Sequence, residues 1–348
     1  IVFFVALAIT VVSPVSAGKG KRKPQPLDVP ILDAHNHILP YTGRDKTDFM
    51  GGARAALNIM KEYGIKQVIL MPHPFVSSQR DSYTYKPLKK VAKKYPDRFM
   101  FLGGGGTLNI MLHDAVANGK VSPKMREKFQ KTAEKIISDG AIGFGEMVAE
   151  HFSMRPGHPY ESSPPDHPLF LLLSDIAARL DVPIDIHMEA IPDEMDRPDN
   201  IPSTINPAKL TSNIEPFERL LSHNPKTRII WAHAGWDNTG HRTTDLMGKL
   251  LGRHPNLYMS IKIRKKDRGG GGYNIPFDMG ETDDQWLALL EEYPDRFMIG
   301  SDQFYQPPQT RDKRRIVVQG SVKLVKDLPP ELARRVGYEN AARVFKID

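Results

Sequence analysis

From about residue 28 the chain alternates short β-branched or aliphatic runs with longer amphipathic segments, and that alternation limits the folds open to it. The strand-like runs are PILDAHNH (30–37), KQVILMPH (66–73), RFMFLGGG (98–105) and AIGFGEM (141–147). They continue with VPIDIHME (182–189), RIIWAHAG (228–235), NLYMSIKI (256–263) and RFMIGSDQ (296–303). Between them lie helical patterns such as GGARAALNIMKEYG (51–64), PKMREKFQKTAEKIISDG (123–140) and HPLFLLLSDIAARLD (167–181). NIEPFERLLSHN (213–224), TTDLMGKLLGRHP (243–255) and TDDQWLALLEEYP (282–294) follow, several of them ending in Gly or Asn. Eight strand–helix units predict an α/β protein, a (β/α)8 TIM barrel occupying residues 28–348 as a single domain. An open doubly wound sheet shares the alternation, but nothing like G-x-G-x-x-G follows the first strand.

Two glycine-rich stretches read as connections. GGGG (103–106) precedes TLNI with no Lys-Ser or Lys-Thr, so it reads as a flexible turn at a strand end and not as a phosphate loop. KKDRGGGGYNIPFDMG (265–280) reads as a mobile loop after the seventh strand. The chain opens IVFFVALAITVVSPVSAGKGKRK, without an initiator methionine. An apolar run followed by Pro14 and the small-residue pattern Val15-Ser16-Ala17 predicts an export signal over 1–17, truncated at its start. An uncleaved anchor is the alternative; export makes the mature protein periplasmic or secreted.

Residues 18–27 read as a basic linker, and its Lys19, Lys21, Arg22 and Lys23 supply four of the +7 net charges. The remaining excess is scattered, which argues against a nucleic-acid partner or a stable membrane association after signal cleavage. Cysteine is absent, which excludes disulfides, thiolate metal ligands and a cysteine nucleophile. A homo-oligomer is compatible with the composition.

A barrel carries its active site at the carboxyl ends of its strands. Strand 1 ends in His35 and His37, whose spacing of two places both side chains on one face. A chain with twelve histidines produces such a pair fairly often by chance. The other strand ends, however, hold Glu146, His187, His233 and Asp302. Singly, each is most simply a hydrogen-bonded core residue. Together, imidazoles and carboxylates at one mouth form a ligand set for Zn²⁺, or for Mn²⁺, Fe²⁺ or Co²⁺, at a catalytic site.

This set resembles the amidohydrolase superfamily, especially the branch of metal-dependent hydrolases that includes aminocarboxymuconate-semialdehyde decarboxylase-like enzymes. The ending YENAARVFKID (338–348) is similar to that branch's last helix. The resemblance implies that His35, His37, His187 and Asp302 bind metal. His233 then binds a second ion or hydrogen-bonds the attacking water. Family members with two metals often have a carboxylated lysine at the end of strand 4, where this chain has Glu146. Glu146 either ligates directly, bridging two ions, or acts from outside as an acid/base group.

The chemistry expected of such a site is hydrolysis of an amide, ester or lactone of a small molecule by metal-activated water. Asp302 is the expected proton carrier, and His233 the group that holds the nucleophile or oxyanion. His73, Trp236, Lys262 and Arg264 are candidate substrate contacts. The two basic residues suit a carboxylate clamp or, equally, a solvated face beside a loop. A metal-dependent decarboxylase or hydratase acting on a carboxylated substrate is the alternative at the same site, and a non-catalytic binding protein follows only if the ligands fail to converge. The long segment 148–168, with His151, His158 and His167, reads as a lid or pocket wall, without ligands.

Overall fold

The computed structural model describes residues 29–43, 46–79, 82–155, 157–263, 273–278, 281–311, 314 and 316–348. The expected export signal, the basic linker, Arg264 and most of the loop expected at 265–280 lie outside the described residues.

Eight parallel strands make the barrel: β1 (Ile31–Ile38), β2 (Ile65–Leu70), β3 (Phe99–Phe101), β4 (Phe144–His151), β5 (Ile184–Met188), β6 (Ile229–Ala234), β7 (Leu257–Ile261) and β8 (Phe297–Ile299). Each falls within or across one of the eight runs read from the sequence, and β4 runs four residues further than its run. The hydrogen-bonded order follows the chain, β1-β2-β3 in one arc and β4 to β8 in the other. Two short continuations close the ring. Gly103–Gly104, just past β3, pairs with β4, and Gln303–Tyr305, just past β8, pairs with β1. The sheet therefore has no free edge, and the chain is a (β/α)8 TIM barrel.

The helices begin with α1 (Phe49–Tyr63), α2 (Lys86–Lys94), α3 (Leu108–Ala117) and α4 (Pro123–Ser138). Next come α5 (Pro168–Leu180), α6 (Ile214–His223), α7 (Thr244–Arg253), α8 (Asp284–Glu292) and α9 (Val318–Asp327), then the short α10 (Pro330–Arg334) and α11 (Asn340–Phe345). Their ends follow local chemistry. The Asp48 side chain accepts from Gly51 N at the start of α1, and left-handed Gly64 ends that helix. Ser122 caps α4 with Pro123 behind it, and Asp283 caps α8.

Burial sorts into two layers. Outward-facing strand residues such as Phe144, Ile184, Ile229 and Phe297 pack with Phe129, Leu173, Phe217 and Leu250 of the helices. Inside the barrel lie Leu32, Ile69, Leu102, Ile230 and Met298, with Val344 and Phe345 of α11 pressed against them. Each such side chain contributes about 1.5–3 kcal/mol when fully buried. Asn340 of α11 donates to the carbonyls of Pro294 and Phe297, at the start of β8, so this helix stoppers the amino-terminal end and leaves the opposite mouth open.

The glycines at 103–106 are not a loose turn. All four are buried, and a Cβ at Gly105 or Gly106 would overlap the carbonyl oxygen of Pro72 or Tyr83, respectively. They are glycine because backbone packs on backbone there. Among the described residues no helix is long and apolar enough to cross a membrane.

Candidate metal centre and active cavity

The register of β1 against β2 slips between Asp33 and Asn36. This bulge lets Ala34 pack inside the barrel while its neighbour His35, and then His37, turn to the mouth. Asp33 secures the bulge by accepting from Ser301 N at 2.8 Å and Ser301 Oγ at 2.5 Å, which ties β1 to the end of β8 and to the adjacent Asp302.

Both histidines are oriented through Nδ1. His37 Nδ1 lies 3.0 Å from the Met71 carbonyl oxygen and His35 Nδ1 3.1 Å from Asp185 Oδ2. Those oxygens accept, so Nδ1 carries the proton in the neutral rings and Nε2 carries the lone pair. Each Nε2 is buried and has no hydrogen-bond partner in the protein.

Glu146 stands at the centre, between two pairs of imidazoles. Its Oε2 is 3.6 Å from His35 Nε2 and 3.4 Å from His37 Nε2. Its Oε1 is 2.9 Å from His187 Nδ1 and 3.2 Å from His233 Nε2. Asp302 flanks His37, with Oδ1 3.3 Å from His37 Nε2, and its Oδ2 accepts from Lys262 Nζ at 2.6 Å. Donor atoms of His35, His37 and Asp302 lie within 4.8 Å of one another, as do those of His35, Glu146 and His233. His187 joins neither trio and faces them across Glu146. His233 and Asp302 hold left-handed backbones, with φ 69° and 56°, a conformation costing about 1–3 kcal/mol for a non-glycine residue and frequent at functional sites.

The electrostatics of the cluster ask for a cation. Burial alone would raise Glu146, but His35 and the other imidazoles hold it well below the usual carboxylate range. Burial likewise opposes ionisation of Asp302, and the Lys262 ammonium outweighs it. Against the cost of burial, Asp185 and Glu146 push His35 well above its ordinary value. Burial lowers His187 too, yet Glu146 and Glu189 carry it up to about 9. Protonated histidines thus neutralise buried carboxylates. A divalent ion held by the Nε2 atoms of His35 and His37 and the same carboxylates would supply that charge in place of the protons, so the residues present fit a metal centre.

Around the cluster opens a cavity of about 440 Å³. His73, Trp236 and Lys262, read from the sequence as substrate contacts, all line it. His73 packs on Phe75 with ring centroids 4.0 Å apart, and burial holds its pKa down to about 3. Lys262 Nζ sits 5.4 Å from the Trp236 ring centroid. The end of β4 and the segment after it form a wall of this cavity, contributing His151 and His158. His151 packs edge-on to His187 at 4.9 Å between centroids. Asp185 and Glu189 were not singled out in the sequence. They stand two residues either side of His187, and the period-two rule that pairs His35 with His37 is the signal that finds Asp185.

Residues 126–347, well over half of the chain, match the sequence family described as Amidohydrolase. The chain belongs to the amidohydrolase family. It is therefore a metal-dependent enzyme, as the resemblance at the strand ends implies. The family match covers β4 to β8, and the fold brings the H-x-H pair of β1 to the same mouth. No curated protein matches this amidohydrolase.

Solved structures similar to it include a 2,6-dihydroxybenzoate decarboxylase in complex with 2,6-dihydroxybenzoate, at 15% identity and TM-score 0.50, covering 92% of this chain and 99% of that one. A dihydroxybenzoic acid decarboxylase from Polaromonas with bound manganese and 2-nitroresorcinol is 13% identical, with TM-score 0.49 and coverage of 91% and 97%. A third, from the engineering of organophosphate hydrolysis on a weak promiscuous lactonase template, is 17% identical, with TM-score 0.49 and coverage of 91% and 95%. At 15% identity the first of these likenesses is one of fold alone.

Proposed function

We propose that this amidohydrolase hydrolyses an amide, ester or lactone bond of a small molecule at a divalent metal centre. The observation that carries this reading is the pair of buried, unpartnered Nε2 atoms of His35 and His37, set against the carboxylates of Glu146 and Asp302. His35, His37 and Asp302 would hold one ion, and Glu146 and His233, with His187 hydrogen-bonded to Glu146 beside them, would hold a second. Imidazole and carboxylate donors favour zinc, with manganese, iron and cobalt chemically close.

Ions in this setting supply Lewis-acid polarisation of the scissile carbonyl and lower the pKa of water. Asp302, kept anionic by Lys262, takes the proton from the attacking water and delivers it to the leaving group. Burial, and after it the Lys262 charge, keeps His233 neutral, which leaves it a ligand and not an ammonium-like repellent of the ion. The cavity suits a small molecule in volume.

Metal analysis of the purified protein should find two ions per chain, and a screen of lactones, esters and amides should find turnover. Asp302→Asn should lower that turnover by about 10²–10⁴-fold, with an unchanged circular dichroism spectrum. Full activity in this variant would sink the role given to Asp302. Release of carbon dioxide from a carboxylated substrate, with no hydrolysis product, would instead favour the decarboxylase reading, which the cationic Lys262 in the cavity wall also supports.

A further inference from the structure

Beyond the barrel β4 turns back as a hairpin, in which Glu150 pairs with Ser162 and His151 with Glu161. The turn carries Glu161 into the wall of the active cavity. The residue is 2% exposed. Oε2 accepts a 2.8 Å hydrogen bond from Asn109 Nδ2, on α3. Asn109 is itself fixed, since its Oδ1 accepts from Val148 N at 2.9 Å and its Nδ2 also reaches the Phe75 carbonyl at 3.3 Å. The other oxygen of Glu161, Oε1, is buried with no hydrogen-bond partner in the protein. A buried carboxyl with one oxygen satisfied and the other bare is costly unless a further group meets it.

The imidazole paired with Glu161 is neutral, and the His187 charge acts on it only from the metal cluster. His113 Nε2, from α3, lies 3.4 Å from Oε2, and burial keeps that imidazole neutral, its pKa down to about 4. Glu146 and His187 act on it from the metal cluster, and His151 stands opposite in the hairpin register. Burial raises Glu161 to about 7; the Asn109 bond opposes this and the Glu146 charge adds to it.

We propose that Glu161 is a substrate-recognition acid: in its protonated form it donates from Oε1–H to a carboxylate oxygen of the substrate, so the cavity selects small carboxylated molecules. With Oε2 accepting from Asn109, a hydroxyl at Oε1 is the arrangement that gives both oxygens a partner. A carboxylate is the acceptor of choice because Lys262, Arg155 and Arg314 line the same cavity, and an O–H···O⁻ bond is charge-assisted. Glu161 takes this role only in the cavity read above as the hydrolytic site. Once ionised, it would repel the anion it binds when protonated.

Calorimetric titration of the metal-loaded full chain with glutarate, a probe carboxylate, between about pH 6 and about pH 9 tests the assignment. Wild-type affinity should fall by up to about tenfold per pH unit above the acid's own pKa. Binding there should take up a proton, read from buffers of different ionisation enthalpy. Glu161→Gln, which keeps a donor, should bind with a flat profile and without that proton. Glu161→Ala should bind about tenfold or more weakly at about pH 6. Equal pH profiles and proton uptake in wild type and Glu161→Gln would overturn the proposal, as would no glutarate binding at any pH. An infrared difference spectrum of wild type minus Glu161→Gln at about pH 6, needing no ligand, should show the band of a protonated carboxyl, and its absence also overturns the assignment. Failure of the hydrolytic reading would appear separately, as missing metal or turnover with the glutarate response intact.

Discussion

At the scale of single residues, the centre depends on which nitrogen each histidine keeps free. His35 turns Nε2 to the cluster because Asp185 holds Nδ1, and His37 because the Met71 carbonyl does. Asp185→Asn preserves the side-chain shape but removes the charged acceptor that orients His35. We expect metal affinity about 10–100-fold weaker, measured by competition with a chromogenic chelator, with the fold retained by circular dichroism. Unchanged affinity would remove the orienting role. His35, His37, Glu146, His187, His233 and Asp302 were all legible as strand-end residues because their chemistry is uncommon in an apolar strand. Asp185 was not singled out, although it stands two residues before His187 on the same strand and so shares its face.

At the scale of elements, the hydrophobic period located the eight strands and the long helices. It did not single out α2, α3 or α9, although α6, α7 and α8 are no longer than α3 and α9; in α3, LNIMLHDAVA, apolar residues run round most of the helix and leave little periodic contrast. α3 matters more than its length suggests, because it carries Asn109 and His113 behind the cavity wall. Burial lowers His113 to about 4, whereas the same imidazole in the unfolded chain titrates near pH 6.5. Its folded value is depressed, so the stability that its neutral form contributes is present above about pH 6.5 and is lost as pH falls towards 4. His113→Asn removes that titration. Between about pH 7 and pH 5, wild type should lose about 2 kcal/mol more unfolding free energy in urea than the variant. An identical loss in both would show that His113 is not held neutral. The hairpin after β4 was anticipated as a pocket wall from its length, but Glu161 within it was not. Only antiparallel pairing with β4 turns that residue inward.

At the scale of the whole molecule, the candidate ligands come from β1, β4, β6 and the segment just past β8, so an ion at the mouth would tie together strands far apart in sequence. Occupancy at about 100 times the dissociation constant adds about 2.7 kcal/mol to folding. Removing metal with a chelator should therefore lower the melting temperature by about 5 °C, restored by zinc, in a calorimetric scan. A melting temperature indifferent to chelation would argue against an ion at this centre. The stopper formed by α11 belongs to this scale too. Its Val344 and Phe345 read in sequence as the apolar face of a last helix, whereas their place under the barrel depends on the ring having closed.

By itself the sequence determined the number of strands, their order, and the fact that His35 and His37 share a face. These are short-range properties, set by alternation and helical period within a few residues. Which face the two histidines share was decided by tertiary structure, through the slip between Asp33 and Asn36 and its anchor on Ser301, 268 positions away. The close packing at Gly105 and Gly106, the central place of Glu146 and the bare oxygen of Glu161 were decided in the same way. Each depends on a backbone or side chain brought from another strand, and no local period encodes that approach.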